Sequence, residues 1–133
     1  MLKVWVDGAC RPIPGKGGIG VLFEGDRMSY SISEKLPGDK LTSNHVEYLA
    51  FNRALTEIMV YGFSNEEIIV HSDSKLLVLQ LTNQESVDKG SAYLSSYIKA
   101  KELVKHFPRL TIKHIPRSSN SEANLLASKG TRK

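Results

Sequence analysis

Residues 2–33 read LKVWVDGACRPIPGKGGIGVLFEGDRMSYSIS, and this stretch predicts the first part of a β-sheet. It contains three runs of β-type residues, at positions 2–6, 19–23 and 28–33. The segment RPIPGKGGIG between the first two runs is dense in Gly and Pro, which predicts a loop. Gly25-Asp26 predicts a hairpin turn before the third run. The stretch therefore predicts a three-stranded antiparallel meander.

Helical and strand patterns alternate after the meander. Apolar residues at helical spacing predict a long helix over 46–58, with Gly62 as its C-terminal cap. Shorter patterns follow: a buried strand at 67–71, a helix at 75–81, a loop at 83–90, a helix at 93–107 and a strand at 110–115. Pro108 ends the helix at 93–107. The last predicted helix begins with a capping box of Ser119 and Glu122 and ends at Gly130. The element order is β-β-β-α-β-α-α-β-α.

Strands one, four and five are separated by helices, which predicts that they run parallel. The expected fold class is α/β, with a five-stranded mixed sheet made of the meander plus two parallel strands. Helices are expected on both faces of the sheet. The whole chain, 1–133, is expected to form a single domain, because 133 residues suit one core rather than two.

Composition narrows the class of protein. The chain has 41% hydrophobic and 24% charged residues, which is typical of a globular domain. No apolar run reaches the roughly 18 residues of a membrane span, and the acidic, Gly-bearing start does not resemble a signal peptide. The single cysteine, Cys10, excludes an internal disulfide and predicts a cytoplasmic protein. A net charge of +4 permits nucleic-acid binding without requiring it.

Three acidic residues are expected to meet at one edge of the sheet. Asp7 ends the first predicted strand and Asp73 follows the fourth, so both carboxylates should emerge at the carboxyl edge of parallel strands. Glu47, predicted in the first turn of the long helix, can point to the same place. Three converging acids repel one another unless divalent cations lie between them. Oxygen ligands of this kind suit Mg²⁺ or Mn²⁺ rather than zinc.

Each acid also has a purely structural interpretation. Asp7-Gly8 is a common turn pair, Asn44 and Glu47 have capping-box spacing, and Asp73 can cap a helix. Each interpretation is favoured for its residue alone, but together they do not explain why the three acids share one edge.

Two further motifs are not expected to form binding sites. GKGGIG at 15–20 has the dinucleotide-binding pattern, but the chain continues from it as a strand instead of opening a helix. The four histidines form no HExxH pair, so a zinc site is not expected. Cys10 is interpreted as a packed side chain rather than as a nucleophile.

Four blocks of sequence resemble, in order, the motif blocks of ribonuclease H type 1. They read VDGACRPIPGKGGIG, TSNHVEYLAF, HSDSKLLVLQL and IPRSSNSEANLLA, and they span nearly the whole chain. The chain is similar to compact archaeal or bacterial-like members, because the short loop at 83–90 lacks the basic insertion found in some members. The resemblance implies the ribonuclease H-like fold.

The resemblance also implies an activity. A family member would be an endoribonuclease that hydrolyses the RNA strand of RNA/DNA hybrids, leaving 5′-phosphate and 3′-hydroxyl ends. Two Mg²⁺ or Mn²⁺ ions, about 3.5–4 Å apart, would do this chemistry. Asp7, Glu47 and Asp73 match three of the family's four catalytic, metal-binding acids. Asn124 stands where the fourth, an aspartate, is expected, and it would hold the second ion more weakly.

Substrate contacts are inferred from the same blocks. The candidate substrate-binding residues are Gly8, Ala9, Cys10, Thr42, Ser43, Asn44, Ser74, Arg117 and Asn120. Backbone amides and short polar side chains of this kind can recognise 2′-hydroxyls in the minor groove. Arg117 lies in the loop where many family members have a mobile histidine, and it is equally well interpreted as a solvated arginine.

Two alternatives to an active nuclease stay open. Asn124 and the missing histidine are consistent with a catalytically impaired module that binds RNA/DNA hybrid or double-stranded RNA. A protein-interaction domain of the same fold is the third hypothesis. The sequence implies no membrane contact and no obligate protein partner, and it does not define the oligomeric state.

Overall fold

The computed structural model describes all 133 residues. Its strands are β1 (Leu2–Arg11), β2 (Lys16–Glu24), β3 (Ser29–Lys35), β4 (Ile68–Ser72) and β5 (Leu110–His114). Its helices are α1 (Ser43–Val60), α2 (Lys75–Leu81), α3 (Leu94–Val104) and α4 (Ser121–Thr131), with a 3₁₀ turn at Arg117–Ser119 before α4. The element order agrees with the prediction.

The five strands form one mixed sheet in the order β3-β2-β1-β4-β5. β1 pairs antiparallel with β2, and β2 pairs antiparallel with β3, which confirms the meander. β1 and β4 are parallel, as are β4 and β5. The predicted fold class is therefore confirmed.

Helices cover both faces of the sheet, and glycines of β2 set how closely they approach. A Cβ on Gly17 would meet side chains of Leu41 and Val46, on the face that α1 covers. A Cβ on Gly18 or Gly20 would instead meet the backbone of α4 on the opposite face. α1 covers the larger core, in which Val4, Val21, Phe51, Leu55 and Val70 are fully buried. β1 therefore lies between α1 on one face of the sheet and α4 on the other.

β1 is longer than the sequence predicts. The expected strand stops at Asp7, but β1 continues to Arg11 because its last residues pair with the start of β2, from Gly8 with Ile19 to Arg11 with Lys16. The predicted loop at 11–20 therefore shrinks to residues 12–15. Asp7 is not at a turn, and its interpretation as half of a turn pair is wrong. The GKGGIG motif continues into β2 instead of opening a helix, so it lacks the context of a dinucleotide-binding motif, as expected.

Helix boundaries also correct the sequence-based expectations. α1 begins at Ser43 after the N-cap residue Thr42, so Glu47 lies in the second turn rather than the first. The proposed capping box of Asn44 and Glu47 is not formed. Ser74, not Asp73, is the N-cap of α2, and its hydroxyl accepts a hydrogen bond from the Leu77 N–H.

The last helix differs at both ends from its prediction. Its N-cap residue is Asn120, so Ser119 and Glu122 do not form a capping box. Gly130 does not end α4, which continues to Thr131. A Cβ at Gly130 would lie 2.5 Å from the backbone oxygen of Glu34 in β3, so the close packing of α4 against β3 requires glycine there. By contrast, Gly62 follows the C-cap residue of α1 with a positive φ of 80°, as predicted. None of the helices combines the length and the apolar character needed to cross a membrane.

Candidate active site

Three carboxylates converge where β1 leaves its neighbour β4. The parallel pairing ends at Val6 and Ser72, so Asp7 and Asp73 follow directly on adjacent strands. Glu47 reaches the same point from α1. One oxygen of each of Asp7, Glu47 and Asp73 lies within 4.8 Å of the others. The predicted meeting of the three acids is confirmed.

Gly8 holds two of these carboxylates in place. Its backbone N–H donates to Oε1 of Glu47 over 2.6 Å and also to Oδ1 of Asp7 over 2.9 Å. A Cβ at Gly8 would collide with the backbone of Val46 and would lie 2.8 Å from the Glu47 nitrogen. Only glycine allows α1 to approach β1 this closely, and that approach brings Glu47 to Asp7.

The cluster has no basic partner. None of the four ion pairs in the structure involves Asp7, Glu47 or Asp73. Burial, followed by the neighbouring charge of Asp7, raises the pKa of Glu47 well above its ordinary value. Burial also raises the pKa of Asp7, and the charge of Asp73 raises it further against the lowering effect of its hydrogen bonds. The cluster is therefore electrostatically strained without a cation.

The donor set fits a hard divalent cation. All three ligands are oxygens, as Mg²⁺ and Mn²⁺ prefer. Oδ2 of Asp73 is buried and has no hydrogen-bond partner in the protein, so this atom has an unused acceptor site. A bound cation would satisfy that oxygen and offset the repulsion that raises the carboxyl pKa values.

Asn124 joins the cluster as a hydrogen-bond donor. From α4, its Nδ2 donates to Oδ2 of Asp7 over 2.9 Å. An amide nitrogen is not a metal ligand, so Asn124 can offer Oδ1 to a cation only after its amide turns over. The structure therefore brings Asn124 to the predicted place, with its N–H₂ group rather than its oxygen toward Asp7.

Comparisons with known proteins identify the family. The sequence profile described as reverse transcriptase-like matches residues 5–130. The chain is also 32% identical over 127 residues to ribonuclease HI of Halobacterium salinarum, covering 95% of this chain and 62% of that protein. The chain belongs to the ribonuclease H type 1 family.

Two further relatives of this ribonuclease H type 1 chain match over nearly their full lengths. The putative hydrolase EbsB of Enterococcus faecalis is 30% identical over 135 residues, covering 100% of this chain and 96% of that protein. LC11-RNase H1, isolated from compost, was solved in complex with an RNA/DNA hybrid. It superposes with a TM-score of 0.87 at 26% identity, covering 99% of this chain and 97% of that one. The ribonuclease H-like fold is thereby confirmed.

Most of the predicted substrate-binding residues of this ribonuclease H type 1 chain surround the cluster. A groove of about 420 Å³ lies between the β1–β2 loop and α4, beside Asp7. Its lining includes Gly8, Ala9, Cys10, Ser43, Arg117 and Asn124. Cys10 is only 7% exposed and packs with Leu41 and Val46, which confirms its interpretation as a packed side chain. Ser43 and Asn44 are exposed at the start of α1, beside the N-cap residue Thr42.

Two predicted contacts change their role. Asn120 is 1% exposed, and its Nδ2 donates to the backbone oxygen of Val6 over 3.0 Å. From this buried position Asn120 fixes α4 against β1, and its role as a substrate-binding residue stays a prediction. The Ser74 hydroxyl caps α2, although its residue lies directly beside Asp73.

Sequence reasoning missed Arg11 and Ser128, which line the same groove. Arg11 was assigned to a Gly/Pro-rich loop, where no side-chain direction can be predicted. The Arg11 side chain points to the same face of the sheet as Asp7, because β1 extends to Arg11 and alternate residues of a strand share a face. Arg11 lies four residues, or two such repeats, after Asp7. Recognising the pairing of 8–11 with 16–19 would have revealed this signal.

Proposed function

We propose that this chain is a divalent-metal-dependent endoribonuclease that hydrolyses the RNA strand of RNA/DNA hybrids, leaving 5′-phosphate and 3′-hydroxyl ends. The observation that supports it most is the convergence of Asp7, Glu47 and Asp73 within 4.8 Å beside an open groove. Similarity to ribonucleases H supports the reaction class. The hybrid in the complex of a similar protein supports the choice of substrate.

Asp7, Glu47 and Asp73 would hold the metal, with Mg²⁺ or Mn²⁺ favoured by their all-oxygen donor set. We propose two ions, which Asp7, Glu47 and Asp73 would hold together with Asn124. Such a pair of ions supplies activation of the attacking water and neutralisation of charge at the leaving oxygen. Asn124 would hold the second ion more weakly than an aspartate, because an amide oxygen brings no net charge.

The chain's own groups would position the substrate. Gly8 orients Asp7 and Glu47 through its single N–H, so both carboxylates are fixed before substrate binds. The exposed side chains of Ser43 and Asn44 offer hydrogen bonds to the 2′-hydroxyls of an RNA strand. Because the 2′-hydroxyl distinguishes RNA from DNA, these contacts would select the strand that is cut.

Cleavage of an end-labelled hybrid in Mg²⁺ and in Mn²⁺ tests this proposal. We expect the wild type to cut the RNA strand only, and Asp7→Asn to lower the rate by about a thousandfold or more, as loss of several kcal/mol requires. Asp26→Asn is the matched control, since Asp26 is exposed in the turn between β2 and β3. Mass spectrometry of the products gives the chemistry of the new ends.

Two results would contradict the nuclease. One is no cleavage with either metal at protein in excess over hybrid. The other is equal cleavage by the wild type and Asp7→Asn, which would point to a contaminating enzyme. Asp7→Asn should still fold, because it removes repulsion from the cluster.

The second candidate function is a binding module with little or no turnover. It is favoured by the Asn124 hydrogen bond to Asp7, which replaces the fourth carboxylate of the family with a neutral donor. Fluorescence anisotropy with labelled hybrid and labelled double-stranded RNA tests it. Tight binding without any cleavage product in either metal would select this candidate over the nuclease.

A further inference from the structure

The side chain of Arg11 is anchored near the cluster by one hydrogen bond, a contact that the proposed function does not use. Its guanidinium donates from Nη2 to Oγ of Ser128 over 3.2 Å. Ser128 is 9% exposed on α4, whereas Arg11 is exposed. A buried hydroxyl thus anchors one side of the guanidinium, while most of its five N–H donors stay free.

This contact repeats the one at the carboxylate cluster. On β1, Asp7 and Arg11 are four residues apart and share a face, because strand side chains alternate. On α4, Asn124 and Ser128 are also four residues apart and share a face. The strand and the helix are therefore joined by two matching contacts, Asn124 to Asp7 and Ser128 to Arg11. Arg11 is held in register with the cluster.

The groove that Arg11 lines carries two arginines. Arg11 and Arg117 both contribute to its lining, together with Asn124 and Ser128, and no carboxylate does. Neither arginine takes part in any ion pair of the structure. An arginine with free donors, no acidic partner and one anchoring hydrogen bond is suited to a phosphate oxygen.

We propose that Arg11, held by Ser128, binds a phosphate of the RNA strand next to the scissile one, and that Arg117 supports it from the opposite side of Asn124. This inference rests on the proposed function, because the cluster defines which phosphodiester is cut. Arg11 acts in binding and positioning, so it lowers KM rather than raising kcat. Ser128 contributes by fixing the guanidinium before the strand arrives.

Steady-state cleavage of a hybrid at several salt concentrations tests Arg11. We expect Arg11→Ala to raise KM about tenfold, as loss of one charge-assisted hydrogen bond requires, with kcat within about twofold. The slope of log KM against log salt should decrease by about 0.7–0.9, the value for one lost phosphate contact. Arg109→Ala is the matched control, since Arg109 is exposed beside the start of β5, at the opposite edge of the sheet.

Two milder variants distinguish the effect of the Arg11 charge from the effect of its position. Arg11→Lys keeps the charge, so it should keep the salt slope while raising KM about threefold, because the forked contact is lost. Ser128→Ala should have a similar effect on KM with the arginine intact. These variants also keep the test valid if Arg11→Ala weakens the fold, which circular dichroism melting would show.

The outcomes distinguish this inference from the proposed function. If the wild type cuts hybrid and Arg11→Ala matches Arg109→Ala in KM and in salt slope, the role of Arg11 is refuted while the nuclease stands. A large fall in kcat at unchanged KM would also refute it. If the wild type neither cuts nor binds hybrid, the proposed function fails, and the role of Arg11 fails with it.

Discussion

The side-chain amide of Asn124 donates a hydrogen bond to Oδ2 of Asp7, with 2.9 Å between the two atoms. This contact ties α4 to β1 at the carboxylate cluster and gives the metal-free site a neutral partner. An aspartate at this position would instead face Asp7 with a second negative charge. Asparagine at position 124 therefore favours the stability of the metal-free protein, whereas aspartate would favour affinity for the metal.

Asn124→Asp should shift that balance. We expect its free energy of unfolding in EDTA near neutral pH to fall by about 1–3 kcal/mol, because a hydrogen bond is replaced by repulsion. The Mg²⁺ concentration for half-maximal cleavage should fall about tenfold, because the site gains a charged ligand. Urea unfolding and a metal titration measure the two effects. Asn65→Asp, at an exposed position, is the control. An unchanged titration midpoint would show that residue 124 is not at a metal site.

Glu47→Gln should change how stability depends on pH in the absence of metal. The pKa of Glu47 is raised well above its ordinary value of 4.5, so the folded chain keeps a proton that the unfolded chain has lost. The contribution of Glu47 to the free energy of unfolding therefore falls as pH rises above that ordinary value. Glutamine does not titrate and avoids this loss. We expect the variant's advantage in EDTA to grow with pH, by about 1.4 kcal/mol for each unit by which the pKa is raised.

Urea unfolding from about pH 4.5 to about pH 7.5 measures the effect of Glu47→Gln. Glu85→Gln, at an exposed position, should show no such trend. Saturating Mg²⁺ should reduce the difference, because a cation stabilises the charged form of Glu47. A difference between variant and wild type that stays constant across this range would contradict the assignment.

Gly8→Ala should damage both fold and site. The added methyl group would collide with the backbone of Val46 and force α1 away from β1. We expect a loss of about 1–3 kcal/mol in the free energy of unfolding and a fall in cleavage of more than tenfold, since Glu47 loses its place beside Asp7. Gly90→Ala has open space around it and serves as the control. Wild-type activity in Gly8→Ala would show that the close approach of α1 is not needed.

Tyr48→Phe should destabilise the core without touching the site. The Tyr48 hydroxyl donates to Oε1 of Gln80 over 2.7 Å, and both residues are about fully buried. Removing the hydroxyl leaves that oxygen unpaired, so we expect a loss of about 1–3 kcal/mol in urea unfolding. Tyr97→Phe is the matched control, because the Tyr97 hydroxyl makes no hydrogen bond within the protein. Equal stability of the two variants would contradict the role of this bond.

Local patterns were sufficient to predict the order of elements and the type of sheet. Val4, Val6, Val21 and Ile32 show the apolar, β-branched character of buried strands, and the strand predictions that rest on them are confirmed. The ends of elements were predicted less well. β1 runs past Asp7 because the glycines of β2 pair with it, and pairing between distant segments leaves no local pattern in the chain.

In the candidate site, too, the sequence predicted some features and missed those that depend on contacts between distant segments. The three acids could be chosen from the sequence, because parallel neighbouring strands must end at one edge and Glu47 lies on the next helix. The structural contact of Asn120 could not be predicted, because a polar side chain near a site has the same sequence signal whether it binds a substrate or a backbone oxygen of β1. Arg11 was missed because its direction depends on how far β1 extends.

The amino acids alone supply the reactive groups, namely the carboxylates of Asp7, Glu47 and Asp73 and the amide at position 124, and the strand order that directs the acids to one edge. Which groups face each other depends on tertiary packing, with Gly8 holding Glu47 and α4 presenting Asn124 to Asp7 and Ser128 to Arg11. Periodicity along a chain fixes the face on which a side chain lies, whereas the contact it makes depends on how closely two separately formed elements pack.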